Sequence, residues 1–169
     1  MVSSEHSLSK GSRQYTWLED NLKRVDRNLT PWIIIESHRP MYIGERTSPE
    51  EFVVGRVMRY EFEDLLIQYK VDLLLAGHFH SYFRSCQGLY QSKCNNGGLT
   101  HIVVGTAGAP LTKSHEIHHV DWVEEFIKDW GYGKIIVYNS TVIHWSFISS
   151  HGDNEGKIMD EVWIKKETE

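Results

Sequence analysis

The sequence lacks the features that would direct it into a membrane or onto nucleic acid. Its 169 residues contain no apolar run longer than four or five residues, whereas a membrane-spanning helix needs about 20. Positive charge is not in excess, since 23 acidic and 18 basic residues give a net charge of −5 with histidine neutral. Because nucleic acids and anionic membranes attract basic surfaces, we expect neither as the main partner.

A signal peptide and a rich cysteine framework are also missing. The opening residues, MVSSEHSLSK, have no basic region followed by an apolar one, so the chain is expected to be intracellular or a piece of a longer protein. Its two cysteines, Cys86 and Cys94, either form one bridge or remain free thiols. Asn28 and Asn139 begin N-glycosylation patterns, although Pro31 weakens the first. A bridge and glycans would both indicate a secreted or lumenal protein.

What is present predicts an α/β first part followed by antiparallel β structure. Apolar residues at the helical period predict helices over residues 14–25 and 51–69. Continuous apolar runs predict buried strands at residues 32–35, 71–75 and 102–104. Helices that alternate with buried strands are typical of a parallel sheet.

The remaining segments carry weaker patterns. Alternation around Asn139 and Ser140 predicts a hairpin, and a further strand is expected at residues 158–164. The other predictions are a polar loop over residues 84–100, a short helix near residues 121–129 and a turn at residues 131–133.

Three histidines follow the first two predicted strands. His38 comes after the first strand, and His78 and His80 come after the second. Ligands bind at the carboxyl ends of strands in open α/β sheets, and imidazoles are common metal ligands. In an extended segment His78 and His80 would lie about 6.5 Å apart on one face, which suits one ligand to each of two ions about 3.5–4 Å apart. The sequence therefore predicts a metal site, although a lone strand-end histidine is usually a hydrogen-bonded surface residue.

Other candidate side chains have simpler interpretations. His144, Trp145 and Trp163 are expected to pack within the sheet region rather than bind a ligand. A second histidine cluster consists of His115, His118 and His119. His115 and His119 have the i, i+4 spacing of a metal-binding pair on a helix, but the polar flank favours a solvated or capping cluster.

Several stretches together resemble the C-terminal part of the purple acid phosphatases, within the calcineurin-like metallophosphoesterases. The matching segments include QYTWLEDNLKRV, HRPMY, AGHFHSYFRS and HIVVGTAGAPL, in family order. The resemblance implies a partial metallophosphoesterase β-sandwich flanked by helices, with an antiparallel β C-terminal region. It divides the chain into a catalytic-domain part, residues 1–97, and a C-terminal region, residues 98–169.

The resemblance also implies an activity, which is hydrolysis of phosphate monoesters at acidic pH. The complete enzyme would use a ferric ion with a divalent iron, zinc or manganese ion. His38 and His78 match ligands of the divalent ion, and His80 matches a ligand of the ferric ion. Arg39, Glu45 or Arg46 could contact the phosphate. Such proteins are expected to be secreted, vacuolar or lysosomal glycoproteins.

Two motifs of that family are absent from this sequence. It contains neither Gly-Asp-x-x-Tyr nor Gly-Asn-His, which together with an earlier aspartate block supply the remaining metal ligands. We therefore expect a fragment that binds at most one divalent ion weakly and has little activity alone. Its partner would be the missing N-terminal half or a second copy, because half a sandwich is expected to expose an apolar sheet face. The alternative is a non-catalytic domain that binds a partner or a single metal.

Overall fold

The computed structural model describes residues 1–45, 47–113 and 120–166. Arg46 and the cluster of His115, His118 and His119 lie outside these residues. The helices are α1 (Arg13–Lys23) and α2 (Pro49–Gln68). The strands are β1 (Ile34–Ser37), β2 (Leu73–Ala76), β3 (Tyr82–Ser85), β4 (Thr100–Val104), β5 (Val123–Ile127), β6 (Gly131–Val137), β7 (Val142–Ser149) and β8 (Ile158–Lys165).

Both helices begin at a serine cap. The side chain of Ser12 accepts a hydrogen bond from the backbone nitrogen of Tyr15, and Ser48 caps α2 in the same way. Pro49 then occupies the first turn of α2, where its missing N–H costs nothing. These caps satisfy backbone donors that no helical carbonyl reaches, so the helices start where the apolar periodicity starts. Both predicted helices are confirmed, with ends shifted by one or two residues.

The first sheet has five strands in the order β1-β2-β4-β3-β5. Strands β1, β2 and β4 run parallel, whereas β3 pairs antiparallel with both β4 and β5. Alternate strand residues point to opposite faces. One face packs against α1 and α2 in a cluster that includes Leu18, Leu22, Met58, Phe62, Leu66, Leu74 and Val103.

The second sheet has three antiparallel strands in the order β6-β7-β8 and covers the other face of the first sheet. Its buried side chains include Ile143 and Phe147, which contribute to one cluster with Leu73 and Ile102. The predicted β-sandwich with flanking helices and an antiparallel C-terminal region is thus confirmed. The expected bare apolar face is wrong for the five-stranded sheet, because both of its faces are covered.

A buried polar cluster joins the two sheets. The hydroxyl of Tyr82 donates to Asp160 at 2.5 Å and accepts a hydrogen bond from Nε1 of Trp145 at 2.9 Å. Arg84 donates from two nitrogens to the same carboxylate, at 2.6 and 2.9 Å. Burial raises the pKa of Asp160, but hydrogen bonds from Arg84 and Tyr82 outweigh it and leave that pKa below its usual value. Arg84 and Asp160 are therefore both charged in the folded protein and form an ion pair.

Some local predictions are wrong. Residues 123–127 form a strand rather than a short helix, and residues 131–133 begin β6 rather than a turn. The predicted loop over residues 84–100 includes the end of β3. His144 and Trp145 are buried as expected, but Trp163 is 45% exposed rather than in the core.

The sequence left the state of the two cysteines open, and the structure joins Cys86 to Cys94. Among the described residues, no helix has both the length and the apolar character needed to cross a bilayer.

Candidate metal centre

Two of the three predicted ligands, His38 and His78, lie close together at the carboxyl ends of the neighbouring parallel strands β1 and β2. His38 follows β1 and His78 follows β2, and the backbone nitrogen of Gly77 donates to the carbonyl of His38 at 3.1 Å. Nε2 of His38 lies 3.1 Å from Nδ1 of His78, with the rings nearly perpendicular. The strand pairing therefore brings the two imidazoles nitrogen to nitrogen.

This nitrogen pair fits a shared metal ion. Two nitrogens held 2.0–2.1 Å from a tetrahedral zinc ion would be about 3.3–3.4 Å apart, close to the separation of the His38 and His78 nitrogens. The backbone of His78 has a φ of +65°, a left-handed conformation that non-glycine residues seldom adopt. Such conformations cluster at functional sites, where the surrounding structure holds them in place.

The outer nitrogen of His78 belongs to a charged network. Nε2 of His78 lies 2.9 Å from Glu51 and 3.1 Å from Arg39, which also bonds Glu51 directly. Nε of Arg39 donates to Glu5 at 2.8 Å. Burial raises the pKa of Glu51, but Arg39 and His78 lower it more, so the net pKa is below its usual value. When Nε2 of His78 carries the ring proton, it donates a hydrogen bond to the charged Glu51, and this tautomer leaves the lone pair of His78 on Nδ1, facing His38.

His80 is held by a different contact. Its Nδ1 lies 2.8 Å from the carbonyl oxygen of Pro110. Because a carbonyl only accepts, Nδ1 carries the proton and Nε2 keeps its lone pair in the neutral ring. Over the described parts of the chain, no group of three or more His, Cys, Asp or Glu side chains is placed to hold one ion. The structure thus brings His38 and His78 together, and coordination by all three histidines stays a prediction.

Glu45 has a role in this region that the sequence did not reveal. Its side chain is 4% exposed, and its carboxylate accepts hydrogen bonds from Ser81 at 2.8 Å and Thr112 at 3.0 Å. The backbone nitrogen of Thr112 in turn donates to the carbonyl of His80 at 2.9 Å. Burial raises the pKa of Glu45. Glu45 therefore ties together the loops that flank His80, and a contact between Glu45 and phosphate stays a prediction.

Comparisons with known proteins agree with this architecture. A family model described as calcineurin-like phosphoesterase matches residues 3–82, and one described as iron/zinc purple acid phosphatase-like protein C matches residues 98–161. A probable purple acid phosphatase 20 of Arabidopsis thaliana is 33% identical over 97% of this chain and 38% of its own length. Acid phosphatase type 7 of Homo sapiens is 34% identical over 90% of this chain and 39% of its own length.

A solved structure extends the agreement to three dimensions. The purple acid phosphatase PPD1 from yellow lupin seeds superposes with a TM-score of 0.83 at 29% identity, covering 96% of this chain and 30% of that one. The two sheets with strand-end histidines are accordingly those of a calcineurin-like phosphoesterase. Within that class, the chain belongs to the purple acid phosphatase family. It spans less than half the length of the curated relatives described above.

Proposed function

We propose that this chain is part of an acid phosphatase that hydrolyses phosphate monoesters, and that His38, His78 and His80 are metal ligands of its centre. His38 and His78 would hold the divalent ion, and His80 the ferric ion. The observation that carries this proposal is the 3.1 Å separation of Nε2 of His38 and Nδ1 of His78 at adjacent strand ends.

Each residue has a defined task in this proposal. Glu51 keeps the proton of His78 on Nε2, and the carbonyl of Pro110 keeps the proton of His80 on Nδ1. Each imidazole then presents its other nitrogen as a donor, the arrangement typical of metal-binding histidines. When bound, a pair of metal ions supplies Lewis-acid stabilisation of the phosphoryl oxygens and an activated nucleophile.

The chain alone is proposed to hold at most one divalent ion and to have little phosphatase activity. Neutral imidazoles do not offset the charge of a ferric ion, and the bridging carboxylate would come from family blocks that this sequence lacks. The complement is proposed to be the N-terminal half of a phosphatase or a second copy of this chain. The two-residue His38–His78 site also favours a second candidate function, a domain that binds a single metal ion.

The same proposal divides the chain into a catalytic-domain part, residues 1–97, and a C-terminal region, residues 98–169. It also includes the cellular location of the protein. We place the chain in a secreted or lumenal compartment, vacuolar or lysosomal proteins included. The Cys86–Cys94 bridge supports this location, because disulfides persist in oxidising compartments.

Zinc titration of the full chain tests the ligand assignment. We expect one zinc ion to bind, and His78→Ala to weaken binding by at least about 10-fold, as loss of a ligand or its support commonly does. His38→Ala should have a similar effect, whereas His151→Ala, an exposed histidine outside the site, should have none. Unchanged affinity in His78→Ala would reject this site.

A phosphatase assay at acidic pH with iron and zinc tests the activity. We expect little turnover from the chain alone and none that depends on His38. Robust turnover that is lost in His38→Ala would overturn the proposed inactivity while supporting the enzyme assignment.

A further inference from the structure

A cavity of about 510 Å³ lies at the start of β6, beside the turn that follows β4. The side chains of Trp130 and Tyr132 form its walls, and the backbone of Ala107 and Gly108 in the turn forms its rim. The atoms that line it are mostly apolar. Sites for small molecules are typically concave and mostly apolar, with volumes of about 300–1,000 Å³. This cavity therefore has the size and character of a small-molecule site.

The two walls have the spacing that a flat ring needs. The carbonyl of Trp130 accepts a hydrogen bond from the backbone nitrogen of Ser150 at 2.8 Å, so the pairing of β6 with β7 continues to Trp130. Residues two positions apart on a strand lie on one face, about 6.6–6.8 Å apart. A ring held between two others needs about 3.5 Å on each side, or about 7 Å in total. Trp130 and Tyr132 are therefore spaced to hold a planar aromatic group between them.

The cavity is held in shape by contacts on both sides of it. Nε1 of Trp130 donates to the carbonyl of Ala109 at 2.9 Å, and its ring packs edge-on against His151 at a centroid distance of 4.7 Å. The hydroxyl of Thr106 donates to the carbonyl of Gly131 at 3.0 Å, and the backbone nitrogen of Gly131 donates to the carbonyl of Thr106 at 3.3 Å. These bonds fix the turn against β6. A preformed site of this kind loses less conformational freedom when a ligand binds.

The same turn continues to the candidate metal centre. Ala109 is followed by Pro110, whose carbonyl lies 2.8 Å from Nδ1 of His80. The path from Nε1 of Trp130 to Nδ1 of His80 runs through these two neighbouring carbonyls, which sets their separation on the order of 10 Å. A ring in the cavity and a phosphoryl group at the centre can therefore belong to one molecule only if several bonds separate them.

We propose that the cavity between Trp130 and Tyr132 binds the leaving group of the phosphate monoester and selects a planar aromatic ring joined to the phosphate through a spacer of several bonds. The inference rests on the proposed function for the position of the phosphate. Binding of the ring itself requires no metal. Trp130 and Tyr132 are then specificity-determining residues, because they contact the part of the substrate that differs from one phosphate ester to another.

Ring binding is tested by titrating the full chain without metal and following the ligand by NMR. Phenylbutyl phosphate should bind saturably, whereas butyl phosphate, which lacks the ring, should not bind at the same concentrations. Trp130→Leu and Tyr132→Ala should each weaken binding of phenylbutyl phosphate by about 3-fold or more, the strength typical of one aromatic contact. Trp163→Phe is the matched control, because Trp163 is also partly exposed but pairs with the opposite end of β7.

Tyr132 is 51% exposed, so Tyr132→Ala decides the question if Trp130→Leu does not fold. Equal binding of the two esters, or full affinity in Tyr132→Ala, would overturn the proposal.

Zinc separates the cavity from the proposed function. With zinc present, phenylbutyl phosphate should bind more tightly than phenylbutanol, and His78→Ala should abolish the difference. Phenyl phosphate, in which no spacer separates ring and phosphate, should bind equally well to the wild type and to Trp130→Leu when zinc is present. Zinc-dependent binding of all esters without any effect of Trp130 or Tyr132 rejects the cavity alone. Ring binding that zinc does not strengthen for any ester rejects the metal centre of the proposed function, and with it the leaving-group role.

Discussion

His101 on β4 is a titratable residue buried without a hydrogen-bond partner. Its side chain is 1% exposed beside the ring of Tyr42, and neither ring nitrogen bonds any described residue. Burial lowers the pKa of His101 to about 3, and the charge of Arg59 contributes in the same direction. The ring is therefore neutral in the folded protein at pH values where the unfolded chain, with a pKa near 6.5, takes up a proton.

This difference predicts acid sensitivity. As pH falls from about 6.5 to about 3, the unfolded state binds a proton that the folded state does not, so the free energy of unfolding should fall by up to about 1.4 kcal/mol per pH unit. Urea unfolding at neutral and acidic pH should show that His101→Leu loses less stability than the wild type. His151→Leu is the exposed control, and parallel pH dependences in wild type and His101→Leu would contradict the prediction.

The sequence could indicate the strand-end histidines because it contains a local pattern, an apolar run followed by Gly77, His78 and a second imidazole. It could not indicate the contacts that Glu51 and Glu45 make in the folded chain. Glu51 reaches His78 from the first turn of α2, and Glu45 reaches Ser81 across 36 positions of the chain. Contacts of that kind depend on how the elements pack, which residue types and local spacing do not encode.

At the scale of elements, the errors share a physical cause. The local sequence around β5 predicts a short helix, but pairing with β3 holds these residues in an extended conformation. Gly131 and Gly133 predict a turn from the sequence, yet both lie in strand β6, where the aromatic rings of Phe147 and Trp145 pack against them. A Cβ on Gly133 would lie 2.0 Å from the ring of Trp145, and one on Gly131 would lie 2.7 Å from that of Phe147. Glycine is needed there for close packing rather than for a turn.

The Cys86–Cys94 bridge predicts a measurable share of stability. It closes a loop between positions eight apart, which by loop entropy contributes about 2–3 kcal/mol. The double variant Cys86→Ser, Cys94→Ser should therefore unfold at lower urea concentration than the oxidised wild type. A reducing agent should shift the wild-type curve toward that of the variant and leave the variant unchanged. A wild-type curve insensitive to reduction would contradict this prediction.

At the scale of the molecule, the cluster of Tyr82, Arg84 and Asp160 holds the two sheets together. Asp160→Ala would leave the guanidinium of Arg84, a side chain 12% exposed, without its charged partner. Removing one member of a buried pair typically costs about 3–5 kcal/mol. Unfolding in urea should show a loss of this size in Asp160→Ala and little change in Asp153→Ala, where the aspartate is exposed. Equal free energies of unfolding for Asp160→Ala and Asp153→Ala would contradict this prediction.

The sandwich itself was predictable in outline. Buried runs of four residues alternating with helices indicate a parallel sheet, and alternation around Asn139 indicates the hairpin. How the hairpin lies against the first sheet was not predictable from those periods. It depends on complementary shapes of side chains such as Leu73, Ile143 and Phe147, which meet only in the folded chain.

The bond between Tyr82 and Asp160 joins positions 78 residues apart. While the chain leaves the ribosome, Arg84 emerges long before the carboxylate that neutralises it, so β3 cannot reach its final environment until β8 has been synthesised. Pairings this distant in sequence slow folding. One face of the first sheet therefore stays exposed until β8 has been synthesised. During that interval chaperones have their longest opportunity to bind.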